Sequence, residues 1–236
     1  MTDRPVALIT GAAGGLGRVL AADLAADGWD LALFGSSPDR LADLEAELGL
    51  EPDRVLRTAV DLRQSEAASA AIDAVYRRFV RVDALAHLVG GWVGGTQVVD
   101  AVDEPYISML DQHLWSSLNV VRPLVPRMVA AGRGRLVAVS SPMAAAPAAG
   151  MSAYAVGKAA QETLFAALAR EVAGTGVTAN IVRVRSIDTK GVRVTDAHGT
   201  GATMTLPSEI SAAIRYLFSD AAGVVNGERI GLHSGQ

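Results

Sequence analysis

The sequence predicts a doubly wound α/β fold, a parallel sheet with helices on both faces in three αβα layers. Two observations carry that expectation. Short continuous apolar runs alternate with longer Ala- and Leu-rich amphipathic runs along the chain, and the first apolar run passes directly into a glycine-rich turn. Strands buried on both faces read as unbroken apolar runs, and strands separated by helices are joined by crossovers that make them parallel.

The elements follow in order. Residues 6–10 are strand by composition, followed by the glycine turn and a helix over about 16–27. Strands are expected at 31–34, 55–60, 84–89, 135–140 and 177–184, with a last short one at 229–232. Helices are expected at 39–48, 65–79, 104–131, 152–173 and 207–219. No linker or repeat breaks the series, so residues 1–236 are expected to form one domain. The Gly- and Thr-rich stretch 188–206 is expected to be a mobile surface loop.

Composition narrows the function classes. Half of the residues are hydrophobic and 19% are charged, which allows a substantial core and argues against global disorder. A formal charge of −4 gives no basic footprint, so no nucleic-acid partner is expected. The absence of cysteine excludes disulfides and thiolate chemistry and fits a reducing, cytoplasmic location. The longest uncharged run, 136–157, approaches bilayer-spanning length, but Pro142, Pro147, three serines and two glycines interrupt it. The apolar run before Gly11 is too short for a signal-peptide core. A soluble, unprocessed protein without a membrane partner is expected.

The turn reads Thr10-Gly11-Ala12-Ala13-Gly14-Gly15-Leu16-Gly17. Glycines let backbone approach a pyrophosphate closely, and the helix that follows presents free N–H groups and a partial positive charge to it. A merely tight strand–helix turn is the alternative, and four glycines in seven residues would be a costly way to build one. With Gly11, Gly15 and Gly17 spaced as TGxxxGxG, the turn resembles that of the short-chain dehydrogenase/reductase family, where it holds the coenzyme diphosphate. The resemblance extends to Asp61-Leu62 after the third strand, which it places against the adenine ring. A helix-cap or turn aspartate is the alternative for Asp61.

The coenzyme is read from the end of the second strand. An acid there would bond a ribose diol and repel a 2′-phosphate. Here the strand ends Phe34-Gly35-Ser36-Ser37, with no acid before Asp39. Ser36, Ser37 and Arg40 together suit a 2′-phosphate, so NADP(H) is favoured over NAD(H).

Ser141, Tyr154 and Lys158 form the second constellation. Tyr154 and Lys158 lie four residues apart, on one face of a helix. Hydride transfer to a carbonyl needs an acid for the nascent alkoxide, and the reverse reaction needs a base. A free tyrosine, with a pKa of about 10, is too weak an acid at neutral pH, and a nearby ammonium stabilises its phenolate. Ser141 follows an apolar strand and suits donation to the substrate oxygen. A Tyr/Lys pair alone also fits an exposed helix face. The serine thirteen residues upstream and the N-terminal glycine turn favour the catalytic reading, and the family shows the same spacing.

Three departures from the family stand out. Counted back from Ser141 without gaps, the position of the family's catalytic Asn falls on His113, with Asn119 six residues further on. In the family that Asn helps to position a water between the lysine and solvent, partly through its backbone carbonyl. His113 preserves that carbonyl and either joins the proton relay or only packs in the helix. His87 stands where the family often has an Asn-Asn-Ala-Gly segment and reads as a structural substitute, while Gly90 and Gly91 still permit backbone approach to the coenzyme. Val184-Arg185 replaces a Pro-Gly pair, and Arg185 either faces solvent or favours an acidic substrate. Ile187 and Thr189 still match the positions that hold the nicotinamide carboxamide.

Trp92, Met143, Met151 and the 188–206 stretch are expected to rim the pocket. The expected activity is oxidoreduction of a ketone or secondary alcohol. A nucleotide-binding regulator with little turnover, or a lyase or epimerase using the coenzyme transiently, are the readings from other classes. By resemblance, the helices over 104–131 and 152–173 pair copies of the chain into a homodimer or homotetramer.

Overall fold

The computed structural model describes residues 4–195 and 203–232. Among the described residues, seven strands form one sheet: β1 (Val6–Thr10), β2 (Asp30–Gly35), β3 (Val55–Ala59), β4 (Ala84–His87), β5 (Gly134–Ser140), β6 (Val177–Arg183) and β7 (Arg229–Gly231). Their order is β3-β2-β1-β4-β5-β6-β7, with every pairing parallel. The helices are α1 (Gly15–Ala26), α2 (Pro38–Leu48), α3 (Ser65–Phe79), α4 (Asp103–Leu110), α5 (Ser116–Ala130), α6 (Ser152–Glu171), α7 (Val192–Thr195) and α8 (Pro207–Phe218).

Alternation along each strand divides the core in two. Leu8, Phe34, Leu85 and Ile181 turn toward Ile72 of α3, Leu124 of α5 and Phe165 of α6. Ile9, Leu33 and Val182 turn the other way, toward Leu20 of α1, Leu41 of α2 and Ile214 of α8. Side chains on a strand alternate faces, so continuously apolar strands supply both layers at once. Strand order reverses between β1 and β4. A doubly wound sheet opens its ligand crevice at such a point, beyond the carboxyl ends of the strands.

Three expectations need correction. The unbroken helix expected over 104–131 contains a π turn, Asp111–Trp115, between α4 and α5. At its end the Ser116 and Ser117 hydroxyls bond back to the carbonyl oxygens of Gln112 (2.5 Å) and His113 (2.6 Å), local competition that bends helices. The fourth strand ends at His87, because the Leu88 N–H turns to the carbonyl and hydroxyl oxygens of Thr10. The described part of 188–206 carries regular structure. Asp188 is buried and accepts the backbone N–H groups of Val192 (2.8 Å) and Arg193 (2.7 Å), which starts α7, and Ile187 bridges to Thr205. Residues 196–202 of that stretch lie outside the described residues. Among the described residues, no helix is long and apolar enough to cross a membrane.

Candidate active site

A cleft of about 590 Å³ opens at the β1–β4 switch point. Gly11, Ala13 and Gly14 form its floor at the start of α1, and Ser36, Ser37 and Arg40 close the β2 end. Asp61, Leu62 and Arg63 line the side above β3, and Gly90 lies beyond β4. Gly11 has φ +68°, and a Cβ there would lie 3.1 Å from the Leu88 carbonyl carbon, so only glycine suits this position. The other turn residues stand behind that surface. Leu16 is buried in the core, and a Cβ on Gly17 would meet the Gly11 and Ala12 carbonyl oxygens at 2.5 Å. Gly15 leaves room for Thr189, whose Cγ2 would lie 2.5 Å from a Cβ there. The segment carrying Ile187 and Thr189 is thereby seated against the turn.

Two arginines shape the end of the cleft at β2 and β3. Arg40 donates to the Ala13 carbonyl oxygen at 2.7 Å and so lies across the glycine turn. Ser37 caps α2 by accepting the Arg40 N–H. Arg63 grips Asp61 through both carboxylate oxygens, at 2.9 and 2.8 Å, and holds that carboxyl below its usual pKa. Asn119 sits beneath, donating to the Leu62 and Arg63 carbonyl oxygens, away from His113. A carboxylate-free β2 end, a glycine floor and a helix N-terminus suit a dinucleotide.

Ser141, at the end of β5, and Tyr154 and Lys158, on α6, come together beside Gly90. Met143 N–H donates to Ser141 Oγ (3.3 Å), and the Ser141 hydroxyl is hydrogen-bonded to Tyr154. Burial pushes the Tyr154 phenol up, and the Ser141 hydroxyl beside it pulls it back. Lys158 is buried and donates to the Val139 carbonyl oxygen (2.8 Å) and Gln161 Oε1 (3.2 Å). Burial lowers its ammonium to about 7, against the pull of Glu162. Glu162 itself is shared by Arg183 (2.8 and 2.5 Å) and Arg229 (2.9 Å).

The two buried histidines differ in their connections. His87 belongs to a chain of bonds whose direction is fixed at its Ser116 end. The Ser116 hydroxyl gives its hydrogen to Gln112 O, so it can only accept from His87 Nε2–H (3.3 Å), and the neutral ring then accepts the Thr10 hydroxyl at Nδ1 (3.0 Å). His87 thus joins β1, β4 and the π turn. His113 donates Nε2–H to the Gly91 carbonyl oxygen (3.1 Å), and its ring meets Tyr154 edge-on at 5.7 Å between centroids. Its Nδ1 is buried with no hydrogen-bond partner in the structure. A Cβ on Gly90 would lie 3.2 Å from that nitrogen and 3.6 Å from Lys158 Nζ. Burial lowers both imidazoles to about 3, so both are neutral at physiological pH.

Of the expected rim, Trp92 and Met151 meet around Gly94, Met143 accepts the Ala148 N–H, and Arg185 is exposed. The sequence reading missed the Arg63–Asp61 pair and the buried Gln161–Ser117 link. An arginine two residues after an aspartate is visible in the sequence, whereas Gln161 gives no local signal.

Residues 5–198 match a family profile described as short chain dehydrogenase. The chain is 26% identical to the 3-oxoacyl-(acyl-carrier-protein) reductase of Escherichia coli (strain K12), over 98% of this chain and 96% of that protein. It is 32% identical to the sulfoacetaldehyde reductase of Chromohalobacter salexigens, over 75% of this chain and 69% of that protein. The crystal structure of levodione reductase superposes with a TM-score of 0.87 at 26% identity, covering all of this chain and 98% of that one.

Proposed function

The chain belongs to the short-chain dehydrogenase family and is an NAD(P)-dependent oxidoreductase, and we propose that it moves a hydride between NADP(H) and a ketone or secondary alcohol, with Tyr154 as the general acid/base. The observation that carries the reading is the meeting of Ser141 and Tyr154 with a buried, doubly anchored Lys158 whose ammonium lies against Gly90 of the cleft. Bound coenzyme supplies or accepts the hydride. Gly11 and Gly14 with the N-terminus of α1 hold the diphosphate, with Thr10, Gly15, Leu16 and Gly17 shaping the turn from behind. Asp61 and Leu62 face the adenine, Gly90 lets the backbone come close, and Ile187 and Thr189 hold the carboxamide. Ser36, Ser37 and Arg40 take the 2′-phosphate, which supports NADP(H) at a strand end without a carboxylate.

Ser141 donates its hydrogen to the substrate oxygen. Tyr154 gives its phenolic proton to that oxygen in reduction and takes it back in oxidation. Lys158, when charged, stabilises the phenolate, and its position on α6 keeps it one turn from Tyr154. His113 Nδ1, a buried acceptor beside the Lys158 ammonium, extends the proton relay as the fourth catalytic group. The exposed apolar side chains Ile107 (α4), Trp115 (the π turn) and Val156 (α6) support pairing of copies into a homodimer or homotetramer. The absence of cysteine supports a cytoplasmic location.

Tyr154→Phe tests the assignment. It keeps the ring against His113 and removes only the acid. Turnover of an identified carbonyl substrate should fall by about 10²–10⁴-fold, the usual worth of a general acid, with NADPH affinity nearly unchanged. A variant that kept most of its activity would remove Tyr154 from the role.

A further inference from the structure

Gln161 lies on α6 three residues beyond Lys158 and has no exposed surface. Its amide orientation follows from its neighbours. The His113 carbonyl oxygen is an acceptor only, so the Ser117 hydroxyl that sits 2.6 Å from it must donate its one hydrogen there. Ser117 Oγ can then only accept from Gln161, at 3.2 Å, so the amide nitrogen faces Ser117. The amide oxygen is left for Lys158 Nζ, at 3.2 Å. The orientation is therefore fixed by a chain of donors that ends on the π turn.

We propose that Gln161 is a positioning residue for the reaction: its buried amide, oriented by Ser117 and the His113 carbonyl, holds Lys158 in the charged, donating form that the proton transfer requires. This inference rests on the reading that Tyr154 and Lys158 perform the proton chemistry. Two of the three ammonium hydrogens are assigned, to Val139 O and Gln161 Oε1, and one remains for the reacting centre. Among the described charged and titratable groups around Lys158, Glu162 is the one that favours the ammonium. On α6, Glu162 attracts the ammonium, but its carboxylate is already held by Arg183 of β6 and Arg229 of β7. His87 of β4 and His113 of the π turn are neutral. Tyr154 of α6 is an uncharged phenol while burial keeps its proton on. β5 contributes only the Val139 carbonyl. With Lys158 poised at about 7, one acceptor more or less decides whether it is charged at neutral pH.

The chain has two lysines, Lys158 and the exposed Lys190, so Lys190→Arg leaves a single lysine signal. In that background the full-length protein, labelled with 13C- and 15N-lysine, is titrated by NMR without coenzyme. Gln161→Met removes the acceptor at nearly constant volume and should lower the Lys158 midpoint by about one pH unit, a tenfold weaker hold on the proton. Gln161→Glu should raise it. Ser117→Ala, which unties the amide, should shift it downward by less than Gln161→Met does, and serves if the methionine variant does not fold. Turnover by Gln161→Met at pH 7 should fall several-fold, with the carbonyl KM little changed. An unchanged Lys158 midpoint in Gln161→Glu, together with an unchanged one in Gln161→Met or Ser117→Ala, would overturn the inference. An active Tyr154→Phe enzyme with shifted Lys158 midpoints would instead remove the proton-transfer reading and leave the Gln161–Lys158 link standing.

Discussion

Replacing Lys158 with Met should change how stability depends on pH, by an amount the structure sets. Burial lowers the Lys158 ammonium from 10.5 to about 7 in the folded chain. Between those values the folded protein has released a proton that the unfolded chain still binds, so the folded state gains stability as pH rises above 7. Over pH 7 to 9 the linkage integral amounts to about 2 kcal/mol, from a limiting slope of about 1.36 kcal/mol per unit. Below about pH 6 the lysine is charged in both states and the slope vanishes. Loss of the donor to Val139 O and Gln161 adds an offset of about 1–2 kcal/mol that does not vary with pH. The assay is urea unfolding followed by far-UV circular dichroism at fixed protein concentration, at pH 6, 7, 8 and 9, for wild type and Lys158→Met. Titrations independent of Lys158 cancel in the difference, and the coupled His87 and His113 titrate near 3 in the folded chain, below the range measured. Wild-type stability relative to the variant should change by less than about 0.5 kcal/mol from pH 6 to 7 and climb by about 2 kcal/mol from pH 7 to 9. A difference constant across the whole range would refute a depressed Lys158.

Two further outcomes follow from the backbone and the histidine chain. Gly17→Ala forces a Cβ to 2.5 Å from two carbonyl oxygens and should cost about 1–3 kcal/mol in urea unfolding, while weakening NADPH binding because the turn must move. His87 is held neutral down to about 3 against 6.5 in the unfolded chain, so its contribution is complete above pH 6.5 and is lost as pH falls toward 3. His87→Leu removes that loss: wild-type stability relative to the variant should drop by about 2 kcal/mol between pH 7 and pH 5 in the same assay, whereas parallel profiles would place His87 in contact with solvent.

The strands were the most legible part of the chain because a strand buried on both faces has a signature that needs no partner. Residues 6–10 and 65–79 carry the observed bounds of β1 and α3, and the other elements shift by a few residues at their ends. The Ser141, Tyr154 and Lys158 spacing was legible for a similar reason, since a helix brings positions four apart onto one face. The π turn was not. One extra residue in a helical turn shifts the phase of the pattern that follows by about 100°, and in so short and apolar a run this shift has no sharp signature, so the direction taken by His113, Ser116 and Ser117 shows only in the folded chain. Gln161 was hidden for a different reason. Its partner Ser117 is 44 positions away, so a lone polar side chain on α6 looked like any solvated one. Arg40 crossing to Ala13, 27 positions earlier, is of the same kind. Contacts of long sequence separation follow from the winding of the sheet, and residue type alone carries no record of them.

Titration of the purified protein with NADPH and with NADH, followed by nicotinamide fluorescence, tests the central claim most directly. The account predicts saturable binding of both, tighter for NADPH, with Arg40→Ala losing about tenfold in NADPH affinity and little in NADH affinity, the worth of one charge-assisted contact. No binding of either coenzyme would contradict the assignment of the cleft, and a preference for NADH unaffected by Arg40→Ala would contradict the role given to Ser36, Ser37 and Arg40.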